Sequence, residues 1–104
     1  MPEEETESIE LGGNITLTGF RNLDKAQLVV VKKIVGNYAK KMSETAKKFE
    51  NLSVTLKKIH GDGDKYELHA KLMDNGKAFT SEVTDFNLFF ALDKVLKKIL
   101  NSID

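Results

Sequence analysis

Catalysis needs groups that converge, so the two histidines, His60 and His69, are the natural place to start. His60 opens the loop His60-Gly61-Asp62-Gly63-Asp64, and His69 occupies a polar-facing position in an alternating segment. Neither is accompanied by G-x-S-x-G or H-E-x-x-H. The chain has no cysteine, which removes disulfides, thiolate metal sites and cysteine nucleophiles together. Asp62, Asp64 and Glu67 suggest a calcium loop, but an EF-hand needs further ligands and a terminal glutamate at fixed spacing. Gly61-Asp62-Gly63 lacks the G-x-x-x-x-G-K-[ST] pattern of a phosphate loop. Both histidines therefore read as surface residues. The expectation is a protein that is not an enzyme and has no metal, cofactor or small-molecule substrate.

Lysine carries the stronger signal. Lys25, Lys32, Lys33, Lys40, Lys41, Lys47 and Lys48 fall in one segment that holds only Asp24 and Glu44 as acids. At about 100° per residue they cover roughly half of a helix surface, opposite an apolar stripe. A second helical segment adds Lys94, Lys97 and Lys98 on its outer side, and few acids lie one turn away to pair with any of them. Phe90 falls among these lysines, where an exposed ring could stack on a base or ribose; alternatively it packs on Phe86 or a loop near the helix start. A polyanion suits such a surface, because each neutralised phosphate releases counterions. A solvated amphipathic face would also carry lysine, and that reading stays open. Val29 and Val30 stray from the apolar stripe.

These residues must be positioned by a small set of elements. Asn14 to Phe20 reads as a strand preceded by Gly12-Gly13, with Ile15 and Leu17 alternating with Thr16 and Thr18. Asp24 is a good N-cap for a helix running to about Phe49, with Leu28, Val31, Val35, Tyr38, Ala39, Met42, Ala46 and Phe49 as its buried stripe. Leu52, Val54 and Leu56 alternate in the next strand, and Tyr66, Leu68, Ala70 and Leu72 in the one after. Asp74-Asn75-Gly76 marks a tight hairpin, and a last strand runs from Lys77 to about Thr84. A final helix spans about Asn87 to Asn101, with Leu88, Phe89, Leu92, Val95, Leu96, Ile99 and Ile103 as its buried stripe. The prediction is an α+β fold of order β-α-β-β-β-α, a four-stranded sheet with two helices packed on one face. The other face stays open, showing Phe20, Thr55, His69 and Lys71 among others, and could serve as a weak dimer surface.

With 104 residues and 40% hydrophobic content, the chain suits one domain with a modest core. The net charge of zero hides an asymmetry. Glu3, Glu4, Glu5, Glu7 and Glu10 share the first ten residues with no base, while the remaining sequence holds 16 basic and 11 acidic residues. Residues 1–12 read as an acidic, disordered tail and 13–104 as a single α+β domain whose basic surface suits RNA. The start lacks the basic and apolar regions of a signal peptide, and no apolar run approaches the roughly 20 residues that span a bilayer. The expected location is cytoplasmic, without a membrane partner.

Several stretches match a known pattern. Ile15-Thr16-Leu17-Thr18-Gly19, Phe49 to Leu56, and above all Asn87-Leu88-Phe89-Phe90-Ala91-Leu92-Asp93 followed by Val95-Leu96-Lys97-Lys98-Ile99 resemble the ribosome hibernation-promoting factor family, which includes the ribosome-associated inhibitors. The resemblance covers about Asn14 to Asn101 and implies the β-α-β-β-β-α fold. It also implies binding to the small ribosomal subunit where messenger and transfer RNA would lie, and silencing of translation under stress. By the same resemblance Lys41 and Lys98 match recurrent basic positions and would face ribosomal RNA. Phe20 stands where the family commonly has a polar residue, and the acidic N-terminal segment has no counterpart there. The leading expectation is thus a translation inhibitor that docks its lysine-rich helices on small-subunit rRNA. The alternatives are a general binder of structured or double-stranded RNA, and a protein-interaction module that dimerises through the open sheet face.

Overall fold

The computed structural model describes residues 8–11, 14–61 and 63–104. Its elements are β1 (Ser8–Leu11), β2 (Ile15–Thr18), α1 (Lys25–Thr45), β3 (Phe49–Ile59), β4 (Lys65–Asp74), β5 (Lys77–Asp85) and α2 (Leu88–Ile103). From Ile15 onward this is the expected β-α-β-β-β-α order of an α+β fold. The sheet runs β1-β2-β3-β4-β5, with β2 and β3 parallel and every other pair antiparallel. Parallel neighbours cannot be joined by a tight turn, so α1 makes the crossover from β2 to β3.

The strand alternation places Leu17, Leu52, Val54, Leu56, Leu68, Ala70 and Leu72 in the core. Val31, Val35 and Met42 of α1 and Leu92, Leu96 and Ile99 of α2 meet them there, all fully enclosed. The hairpin at Asn75-Gly76 has positive φ at both residues (54° and 80°), the geometry that matches strand twist across a two-residue turn. Both helices start on side-chain caps. Asp24 accepts from the Gln27 amide at 2.8 Å while the Gln27 side chain accepts from the Asp24 amide at 3.3 Å. Asn87 accepts from the Phe90 amide at 3.0 Å.

Four details differ from the sequence reading. First, Ser8–Leu11 belongs to the sheet rather than to a tail: it pairs antiparallel with β2, Ser8 opposite Thr18 and Leu11 opposite Ile15, so the sheet has five strands. Its backbone pairs the edge of β2 that would otherwise be left open. Second, β2 stops at Thr18, because Gly19 turns the chain with φ 86° and sends Phe20 into the core at 1% exposure instead of onto the open face. Third, α1 ends at Thr45. The buried Asp74 carboxylate accepts from the amides of Lys48 (2.8 Å) and Lys47 (3.4 Å), and the Asn75 amide donates to the Lys48 carbonyl at 2.9 Å. These bonds turn the chain into β3, so Phe49 is a strand residue and Lys47 and Lys48 leave the helix. Fourth, α2 continues to Ile103. Residues 1–7, Gly12, Gly13 and Asp62 lie outside the described residues, so the rest of the expected acidic tail and the Asp62 reading lie there too.

Candidate nucleic-acid interface

Helix periodicity arranges the α1 lysines in rows. Lys33 and Lys40 are seven residues apart, so they stack about 10 Å apart on nearly one line, directly opposite the buried stripe; Lys25 and Lys32 form a second such row. Lys41 lies on the flank toward α2, its Nζ 5.3 Å from the centroid of the Tyr38 ring. On α2, Phe90, Lys94 and Lys97 follow one another at one-turn intervals along the outer ridge. Lys98 leans to the β5 edge, where its Nζ donates to the Glu82 carbonyl at 3.4 Å. All of these lysines are exposed, and among the described residues no carboxylate lies within 4.0 Å of any of them. Lys47 and Lys48 are exposed as well, but on the connection to β3. There Lys47 lines a hollow of about 360 Å³ with Lys77 and Ser102, at the end of the molecule where α2 finishes.

Phe90 is 53% exposed, so it is not tucked beneath a loop, and the Lys94 ammonium lies 5.4 Å from its ring centroid. Val29 is 65% exposed in the middle of the α1 lysines. An apolar residue one turn from Lys25 and one turn from Lys33 adds a water-shedding element between charges.

The two helices are tied by a contact the sequence reading did not anticipate. The Tyr38 hydroxyl donates to Asp93 Oδ1 at 2.7 Å, linking residues 55 positions apart. Burial, the hydrogen bond and the neighbouring carboxylate push the Tyr38 hydroxyl up from 10.0 to about 12. Each partner stands beside a lysine. Lys41 is three residues after Tyr38, and Lys94 follows Asp93 directly. The bond therefore fixes how the lysine row of one helix stands against that of the other. Tyr38 was legible as a core residue; its partner was not, because nothing local in the sequence marks a pairing over that distance.

On the opposite face of the sheet, His69 Nε2 is 3.1 Å from Glu67 Oε2 and His69 Nδ1 is 3.8 Å from Glu82 Oε1. His60 Nδ1 is 3.2 Å from Asp64 Oδ1 in the β3–β4 loop. The two histidines are thus on different parts of the surface and share no site. Among the described residues, no helix is long and apolar enough to cross a membrane.

No family model matches the chain, and no curated protein matches its sequence. Among solved structures, a ribosomal subunit interface protein from Coxiella burnetii has a similar fold. The superposition has a TM-score of 0.58 and covers 86% of this chain and 90% of that one, at 11% sequence identity. At that identity the likeness is one of fold alone.

Proposed function

We propose that this protein binds the small ribosomal subunit through its helical layer and inhibits translation by occupying space that RNA would otherwise fill. The observation that carries the reading is the helical surface itself: eight lysines on α1 and α2, unpaired by described carboxylates, on one side of the domain. The fold likeness to a ribosomal subunit interface protein supports it, as do the family-like residues Asn87 to Asp93. Lys25, Lys32, Lys33, Lys40 and Lys41 would contact phosphates from α1, and Lys94, Lys97 and Lys98 from α2. Phe90 would add a stacking contact on the α2 ridge, and Lys47 and Lys48 would extend the basic surface at its far end. The action is occlusion, so it requires no bond-making step.

Cell-free protein synthesis tests the inhibitory role. Excess protein is expected to lower peptide output, and Lys94→Glu/Lys97→Glu/Lys98→Glu is expected to restore it. Undiminished synthesis at saturating protein would refute inhibition.

A further inference from the structure

Three connections meet at one end of the domain. Thr18 pairs with Thr55, Lys58 with Tyr66, and Tyr66 with Asp85, so the β2–α1 loop, the β3–β4 loop and the β5–α2 loop all gather there. Between the first two lies a cavity of about 540 Å³ whose lining includes Arg21, Lys58, His60 and Tyr66. That volume is in the range that holds a nucleotide-sized ligand. Lys58 Nζ is 5.8 Å from the Tyr66 ring centroid and 3.6 Å from Asp64 Oδ2, and Asp64 Oδ1 lies 3.2 Å from His60 Nδ1. At the same end Phe86 is 63% exposed, with Lys65 Nζ 5.3 Å from its ring centroid. A basic cavity with an aromatic wall, beside a second exposed and lysine-flanked ring, has the two elements that single-stranded nucleic acid requires: cations for the backbone and π-faces for successive bases.

We propose that this loop end takes an unpaired segment of RNA, with one nucleotide in the cavity, its base against Tyr66 and its phosphate on Arg21, Lys58 and His60, and the neighbouring base on Phe86. The inference rests on the reading of the chain as RNA-binding and adds a surface to it that lies off the lysine rows of the helices. Paired bases cannot enter the cavity, so the surface selects unpaired strands over duplex.

The chain contains no tryptophan, so Phe86→Trp provides a single fluorescent reporter at an exposed position. A single-stranded adenosine hexamer is expected to quench it, and a blunt RNA duplex of equal length and adenosine monophosphate are expected to quench it far less. In the otherwise unaltered chain, Phe86→Ala should weaken hexamer binding about fivefold to a hundredfold, the range that loss of one stacked base gives, and Lys58→Gln should weaken it as well. Both sites are exposed, and thermal melting will confirm that the variants fold. Equal quenching by duplex, binding of the mononucleotide as tight as the hexamer, or hexamer affinity unchanged in Phe86→Ala and Lys58→Gln would each overturn the proposal. If hexamer binding fails while small-subunit binding persists, this inference falls and the ribosomal reading stands. If hexamer binding holds while subunit binding fails, the ribosomal reading falls alone.

Discussion

Replacing Tyr38 with phenylalanine removes one oxygen and with it the 2.7 Å bond to Asp93 that joins the two helices. The ring remains in place, and since Tyr38 is only 9% exposed its packing is retained. A hydrogen bond to a charged acceptor contributes about 1.5–3 kcal/mol. Asp93 is half-buried and regains some water when the partner goes, so the low end, about 1.5 kcal/mol, is expected. For a domain of this size each kcal/mol moves Tm by about 4–8 °C, which predicts a fall of about 6–12 °C by calorimetry. The same bond makes a prediction in pH. Because the folded-state hydroxyl is held at about 12 against 10.0, its contribution is complete below pH 10 and disappears as pH rises through 12. In a Tyr66→Phe background Tyr38 is the remaining tyrosine, so its tyrosinate absorbance can be followed alone. The midpoint should lie near 12 and fall toward 10 in Asp93→Asn, which removes the charge. A Tyr38→Phe protein melting within about 1 °C of the parent, or a Tyr38 midpoint indifferent to Asp93→Asn, would refute the helix tie.

Other perturbations probe the parts that hold the surface together. Gly19→Ala places a Cβ against the Leu56 carbonyl oxygen at a φ of 86°, so urea denaturation should show a loss of at least about 2 kcal/mol, and an unchanged midpoint would contradict the close approach. Asp74→Ala leaves the amides of Lys47 and Lys48 without their carboxylate acceptor and should cost about 2–4 kcal/mol, measured in the same way; a loss under about 0.5 kcal/mol would show that the α1–β3 turn does not depend on it. Lys33→Glu/Lys40→Glu alters exposed residues without described ion-pair partners, so Tm should stay within about 2 °C while affinity for RNA drops and its salt dependence flattens. A salt slope identical to the parent's would mean that these lysines do not meet phosphate.

The sequence carried the periodic parts of this molecule well. Leu52, Val54 and Leu56 alternate because one face of β3 is buried, and Asn75-Gly76 supplies the two positive φ angles that a tight hairpin needs. The helix lysines could be placed by angle alone, since an amphipathic helix fixes its outer face once its inner face is known. What escaped depended on single residues acting across space. Gly19 reverses the side to which Phe20 points, and no alternation pattern reveals that. Asp74 ends α1 from 26 positions away, although Ala46 and Phe49 continue the helical spacing of apolar residues. Ser8–Leu11 is too short and too close to a run of glutamates to stand out as a strand. The loop-end cavity draws Arg21, Lys58, His60 and Tyr66 from separate segments, so it became visible only in three dimensions.

The central claim is best tested by co-sedimentation with purified small ribosomal subunits across a salt series, with bulk RNA as competitor and Lys94→Glu/Lys97→Glu/Lys98→Glu as the comparison. Binding is expected to be stoichiometric, to survive the competitor and to be lost in the triple variant, and each phosphate contact removed should lower the salt slope by about 0.7–0.9. Binding that the competitor abolishes would reduce the protein to a general RNA binder, and no binding at low salt would contradict the account outright.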